Sequence, residues 1–85
     1  MVYLAITPQG LRNILDASEA AEAPIWCGAD ALSRAEFEKL ERGNITRFAH
    51  SFVDADTETI QDALATIDEH HPGERVWIES AVFKV

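Results

Sequence analysis

Residues 2–15, VYLAITPQGLRNIL, begin with a continuous apolar run and continue with apolar residues at helical spacing. The run at residues 2–6 contains Tyr3 and two β-branched residues, a composition that favours a buried strand. Thr7 is suited to cap a following helix, and Pro8 suits the first helical position, where a backbone N–H has no partner within the helix. The spacing places three apolar side chains on one face of this predicted helix: Leu11, Ile14 and Leu15.

The same alternation of strand and helix continues along the sequence. Residues 24–28, PIWCG, predict a brief strand, and the flanking proline and glycine favour an edge position. Residues 45–53 predict a third strand, with Phe48 and Phe52 on one face. The last strand, residues 76–85, is apolar on both faces. That pattern indicates either a central strand or one covered by helices on one face and by a partner on the other.

Two further helices have recognisable ends. Ser33, followed three residues later by Glu36, predicts a capping box at the start of the second helix. The pair Gly43–Asn44 predicts a left-handed stop after that helix. The third helix is predicted from about residue 57 to residue 70, with Asp54 and Asp56 competing for its N-cap. Its apolar stripe is the clearest in the chain: Ile60, Ala63, Leu64 and Ile67.

The predicted order is therefore β-α-β-α-β-α-β in a single globular domain, residues 1–85. Such alternation favours an α/β or α+β fold with a three- to four-stranded sheet packed against helices. Right-handed crossovers are expected wherever neighbouring strands are parallel, but the strand order stays open. The connection across residues 16–24 could also carry the chain to the opposite edge of the sheet.

Composition limits the class of protein. The chain has 85 residues, of which 47% are hydrophobic and 26% charged, as expected for one small folded domain. A single cysteine, Cys27, excludes an internal disulfide and fits a reducing compartment. The sequence begins without a basic segment or a long apolar run, so we expect no signal peptide and no membrane association. A cytoplasmic protein is the prediction.

The negative charge is concentrated in one segment. Between Arg47 and Arg75 there is no Lys or Arg, but there are seven acidic residues. They are Asp54, Asp56, Glu58, Asp62, Asp68, Glu69 and Glu74. This segment therefore accounts for most of the formal net charge of −8. A one-signed field of this kind repels nucleic acid and anionic membranes and favours a basic protein partner.

Carboxylates on the third helix give this surface a regular spacing. Glu58, Asp62 and Glu69 are predicted to project away from the apolar stripe. One helical turn separates Glu58 from Asp62, about 5–6 Å between Cβ atoms, which is comparable with the spacing of successive phosphates in a nucleic-acid strand. The residues predicted to bind a partner are Asp54, Asp56, Glu58, Asp62 and Glu69. The alternative interpretation is that these acids only solvate the outer face of an amphipathic helix.

Catalytic and cofactor signatures are weak. Asp54 to Glu58 resembles the first half of a calcium loop, but an EF-hand requires Gly and Glu where this sequence has Thr59 and Ala65. Three histidines, His50, His70 and His71, lack the spacing of a zinc site. We therefore assign no metal, no cofactor and no catalytic residue. A basic patch or a phosphate-cradling glycine loop is also missing from the sequence, so direct nucleic-acid binding is not expected.

Three functional hypotheses remain. The first is a small acidic inhibitor that binds a basic, nucleic-acid-handling protein, by analogy with anti-CRISPR proteins and antitoxins; Trp26 and Trp77 are candidate anchors. The second is a small enzyme or metabolite-binding domain with a site near Cys27 and His50. The third is a structural oligomer, such as a homodimer formed by strand pairing. A deep pocket containing Cys27 and His50 would favour the second hypothesis, a continuous acidic face without a pocket the first, and an exposed apolar sheet face the third.

Overall fold

A computed structural model of the chain describes residues 1–17, 22–40, 43–53 and 56–79. Strands and helices alternate through these residues. The strands are β1 (Val2–Ala5), β2 (Ile25–Cys27), β3 (Ile45–Arg47) and β4 (Val76–Ile78). The helices are α1 (Pro8–Asp16), α2 (Arg34–Lys39) and α3 (Thr57–His70). Within the described residues no helix is long and apolar enough to cross a bilayer.

The four strands form one parallel sheet in the order β3-β2-β1-β4. In register, Tyr3 lies opposite Ile25 on one side and Trp77 on the other. The chain steps outward from β1 to β2 to β3 and then returns past both strands to β4. Right-handed crossovers in opposite directions place their helices on opposite faces of a sheet. The fold is therefore α/β, with α1 and α2 on one face and α3 on the other.

Each face of the sheet carries its own hydrophobic core. The core beneath α1 and α2 contains Ala5, Leu11, Ile14, Ile25, Cys27, Ala31, Leu32 and Ile45. The core beneath α3 contains Val2, Leu4, Ile6, Trp26, Phe52, Ala63 and Ile67. Successive residues of a strand point to opposite faces, so β1 and β2 contribute to both cores. This explains why these strands are apolar without interruption.

The helix starts follow the predicted caps. Thr7 accepts a hydrogen bond from the Gly10 N–H at 3.1 Å, and the following proline occupies the first helical position. Ser33 and Glu36 form the predicted capping box. Asp56 caps α3 by accepting from the Thr59 N–H, and the bounds of α3 agree with the prediction. Asp54, the competing cap, lies outside the described residues.

The predicted edge position of β2 is wrong. This strand lies between β1 and β3, and all three of its residues are buried. Pro24 precedes the strand, and its carbonyl accepts the Tyr3 N–H at 3.0 Å. A proline at the start of a strand removes no donor from the ladder, so its presence does not require an edge.

Of the two positions that the sequence pattern allowed for the last strand, the central one does not apply to Val76–Ile78. Within the described part of the chain β4 pairs only with β1, and Trp77 is 43% exposed. The apolar residues at 81–83 and 85, which contributed to the prediction, lie outside the described residues.

Two other boundaries differ from the sequence pattern. The third strand ends at Arg47, although Phe48 and Phe52 do pack on the predicted common side. The chain bends there because the His50 carbonyl accepts the Ala29 N–H at 2.8 Å, which draws the following loop towards the end of β2. Gly43 does not take the predicted left-handed conformation: α2 ends at Lys39, and among the described residues only Gly73 is a positive-φ glycine (φ 76°).

Candidate functional site

An open groove of about 1080 Å³ lies between α3 and the loop that follows β3. Its floor is aromatic. The rings of Trp26 and Phe48 have centroids 5.1 Å apart, and Phe48 meets Phe52 edge-on at the same separation. Thr59, Asp62 and Thr66 line the groove from the helix. The groove thus combines an apolar floor with a polar rim, which is the composition of a binding site.

Strand alternation builds the floor. Ile25 and Cys27 point towards α1 and α2, so Trp26 between them must point towards α3. Gly28 follows directly, and a Cβ atom there would lie 2.8 Å from a ring carbon of Phe52. The absence of a side chain at this position therefore leaves room for the Phe52 ring in the groove lining.

All three histidines of the sequence, His50, His70 and His71, line the groove. The rings of His70 and His71 have centroids 5.4 Å and 6.0 Å from Trp26. They are distant in the sequence, because His50 precedes His70 by twenty residues and His71 by twenty-one. The described residues include no cluster of His, Cys, Asp or Glu suited to hold a metal ion.

Cys27 does not line the groove that His50 lines. Its side chain is fully buried in the core beneath α1 and α2. Burial raises the pKa of the Cys27 thiol to about 11, and the nearby charge of Arg47 offsets only part of this rise. A thiol with this pKa stays protonated at neutral pH, and the thiolate is the nucleophilic form. The position and the pKa of Cys27 are both those of a packed core residue.

The acids predicted to bind a partner are exposed on α3. They are Asp56, Glu58, Asp62 and Glu69, whereas Asp54 lies outside the described residues. The hydrogen bond from the Thr59 N–H lowers the pKa of Asp56, which serves as the helix cap. Ion pairs in the described part of the chain join Met1 to Glu74 and Arg34 to Glu38, so none involves α3. Asp62 differs from the other acids because it also borders the groove.

The two tryptophans lie on opposite faces of the sheet. Trp26 is 6% exposed and belongs to the groove floor. Trp77 is far more exposed and packs against Tyr3, with ring centroids 5.9 Å apart, on the face that carries α1. They cannot anchor one flat partner together. Trp26 is the candidate that belongs to the acidic side of the molecule.

A buried carboxylate that the sequence analysis missed belongs to Glu79. Its side chain is 5% exposed, and one oxygen accepts the N–H groups of Ile6 and Thr7 at 2.7 and 2.8 Å. The other oxygen accepts the Thr7 hydroxyl. This carboxylate lies where β1 and β4 end side by side and α1 begins, the place where parallel α/β sheets commonly bind ligands. The sequence feature that could have identified Glu79 is an acidic residue directly after an apolar strand.

Two groups that could carry chemistry are held within the fold. Glu79 is engaged by three donors from the protein itself, and Cys27 is buried away from the groove. The groove and its acidic flank are accessible. Comparison with protein-family models, with curated proteins and with solved structures gave no match.

Proposed function

We propose that this protein is a small interaction module whose α3 carboxylates occupy a basic surface of a partner protein. The observation that carries the proposal is the state of Glu58, Asp62 and Glu69. All three are exposed, and no Lys or Arg of the described residues neutralises them. Exposed unpaired charges of one sign create a field that steers an oppositely charged partner and disfavours other surfaces.

The class of partner follows from the spacing of the acids. Glu58 and Asp62 lie about one helical turn apart, and basic surfaces that accept closely spaced negative charges are typical of proteins that bind nucleic acids. The protein would then act as an inhibitor that imitates a phosphate backbone, in the manner of anti-CRISPR proteins or antitoxins. The free thiol of Cys27 supports a cytoplasmic setting.

A binding experiment with matched charge variants tests this proposal. The partner is first captured from the source cell and purified. Its affinity is then measured across a salt series for the parent and for the triple variant Glu58→Gln, Asp62→Asn, Glu69→Gln. Salt screens exposed charges, so we expect parent binding to weaken steeply with salt and the triple variant to lose about tenfold or more in affinity.

The control triple variant removes the same charge elsewhere: Asp16→Asn, Glu22→Gln, Glu38→Gln. These side chains are exposed and lie outside α3, and the exposed Arg34–Glu38 ion pair that the control loses contributes little. We expect this control to bind within about threefold of the parent, because its changed side chains lie away from α3 and salt screens exposed charges beyond about 8–10 Å. Equal losses in both variants would show that only net charge matters, and an affinity insensitive to salt would contradict the proposal.

A further inference from the structure

We infer that the outer edge of β3, together with the adjoining groove, binds an extended basic segment of the partner as a fifth strand of the sheet. This inference rests on the proposed function and specifies which part of a partner the acidic face takes. Strand addition supplies affinity through main-chain hydrogen bonds and specificity through the pockets that receive alternate side chains.

The hydrogen-bond pattern of β3 leaves the backbone groups of two of its three residues free to pair. The Ile25 N–H donates to the Asn44 carbonyl, and the Phe48 N–H donates to the Cys27 carbonyl, both at 2.8 Å. Residues alternate in direction along a strand, so Ile45 and Arg47 turn their N–H and C=O groups away from β2. Within the described residues no strand lies on that outer side.

The loop after β3 does not cover this edge. Its His50 carbonyl accepts the Ala29 N–H, so the loop runs back towards β2. The Arg47 side chain is also engaged elsewhere, donating to the Leu32 carbonyl at 2.6 Å. An unpaired strand edge of this kind is a template for another strand.

The groove determines which side chains fit. In an added strand, every second side chain points to the α3 face and enters the groove beside Thr46 and Phe48. A lysine or arginine there lays its aliphatic stem over the aromatic floor of Trp26 and Phe48 and directs its charge to Asp62 at the rim. An apolar side chain would use the floor but leave that carboxylate unpaired.

Charge decides between a basic partner and a second copy of this chain. Two copies joined through β3 would bring together two chains that each carry a formal charge of −8. Like-charged surfaces repel, and the α3 acids contain no intervening Lys or Arg. An arginine- or lysine-bearing segment neutralises the same surface instead. The occupant we infer is therefore a basic segment and not another copy.

A synthetic seven-residue peptide of alternating arginine and threonine tests strand addition on the intact protein. Amide hydrogen exchange is measured by NMR with and without saturating peptide. We expect exchange at Ile45 and Arg47 to slow about fivefold or more, whereas Thr46 and Phe48, which already face β2, stay unchanged. Unaltered exchange at Ile45 and Arg47 in the presence of bound peptide would overturn the inference.

Two methylated peptides provide a matched control, one N-methylated on the arginines and one on the threonines. Only one of these two sets of N–H groups points to β3, so we expect one peptide to lose about tenfold or more in affinity and the other to bind normally. Equal affinities would overturn strand addition.

A helix-forming alanine–arginine peptide with the same four arginines separates this inference from the proposed function. If the helical peptide binds in a salt-sensitive way that depends on Glu58, Asp62 and Glu69, the acidic face binds basic partners. If the helical peptide binds in this way and the alternating peptide does not bind, strand addition alone is overturned. Failure of both peptides at low salt overturns the strand addition and counts against the proposed function as well.

Discussion

Glu79 illustrates how one side chain can organise the end of a parallel sheet. A carboxylate that is almost fully buried is unfavourable unless hydrogen bonds replace its water. Here two backbone N–H groups and the Thr7 hydroxyl do so, and they connect the ends of β1 and β4 to the start of α1. The carboxylate fits because Gly10 has no side chain: a Cβ atom there would lie 1.9 Å from Glu79 Oε1.

This contact predicts that the effect of Gly10→Ala depends on Glu79. In the parent, the added methyl group collides with the carboxylate, and we expect a loss of about 1–3 kcal/mol in the free energy of unfolding. In a Glu79→Ala background the space is open, and alanine is about 1 kcal/mol better than glycine within a helix. We therefore expect Gly10→Ala to stabilise that background. Urea unfolding of the four proteins of this double-mutant cycle measures the difference.

Gly43→Ala is the matched control for that cycle. A Cβ atom at Gly43 meets nothing within 4 Å, and its φ is not in the left-handed region. We expect the free energy of unfolding to change by less than about 0.5 kcal/mol. Equal costs of Gly10→Ala in both backgrounds would show that Glu79 does not occupy the space beside this glycine.

At the scale of whole elements, the sequence predicts helices better than strand positions. Local signals define a helix, so the Asp56 cap and the apolar stripe were sufficient to place α3. Strand order depends on contacts between distant residues, which explains why β2 was assigned to an edge and why the pattern of β4 left two positions open. The groove escaped prediction for the same reason, since Trp26 and His70 meet only through the crossover of α3.

The position of α3 over the sheet predicts an order of sensitivity along its apolar stripe. Ile67 is fully buried in the core beneath α3, whereas Leu64 is only partly buried at its margin. A truncation costs more where the cavity cannot collapse or fill with water. We expect Ile67→Ala to lower the free energy of unfolding by about 2–5 kcal/mol and Leu64→Ala by clearly less.

Gln61→Ala serves as the control for these truncations, because Gln61 is exposed on the same helix. We expect it to change the free energy of unfolding by less than about 0.5 kcal/mol. Chemical unfolding of the three variants provides the comparison. If Leu64→Ala proves as costly as Ile67→Ala, α3 is rotated about its axis relative to the structure described above.

The whole molecule is electrically asymmetric across its sheet. The helices on one face carry cationic residues, namely Arg12 on α1 and Arg34 and Lys39 on α2. The helix on the other face has no Lys or Arg. Acids near a helix start are favourable, but Glu69 lies in the last turn of α3, where the negative end of the helix opposes it. The acidic face therefore carries electrostatic self-repulsion, which a basic partner would relieve.

This self-repulsion predicts that sodium chloride stabilises the free protein and that α3 is the main source of the effect. The screening length shortens from about 30 Å at 0.01 M salt to about 3 Å at 1 M, so repulsion between exposed acids fades across that range. We expect the free energy of unfolding of the parent to rise by about 0.5–1 kcal/mol. The variant Glu58→Gln, Asp62→Asn, Glu69→Gln should respond much less, whereas the control Asp16→Asn, Glu22→Gln, Glu38→Gln should respond like the parent. Urea unfolding at several salt concentrations measures all three slopes. Equal slopes for the two triple variants would mean that the repulsion is spread over the whole surface, and α3 would lose its distinct electrostatic role.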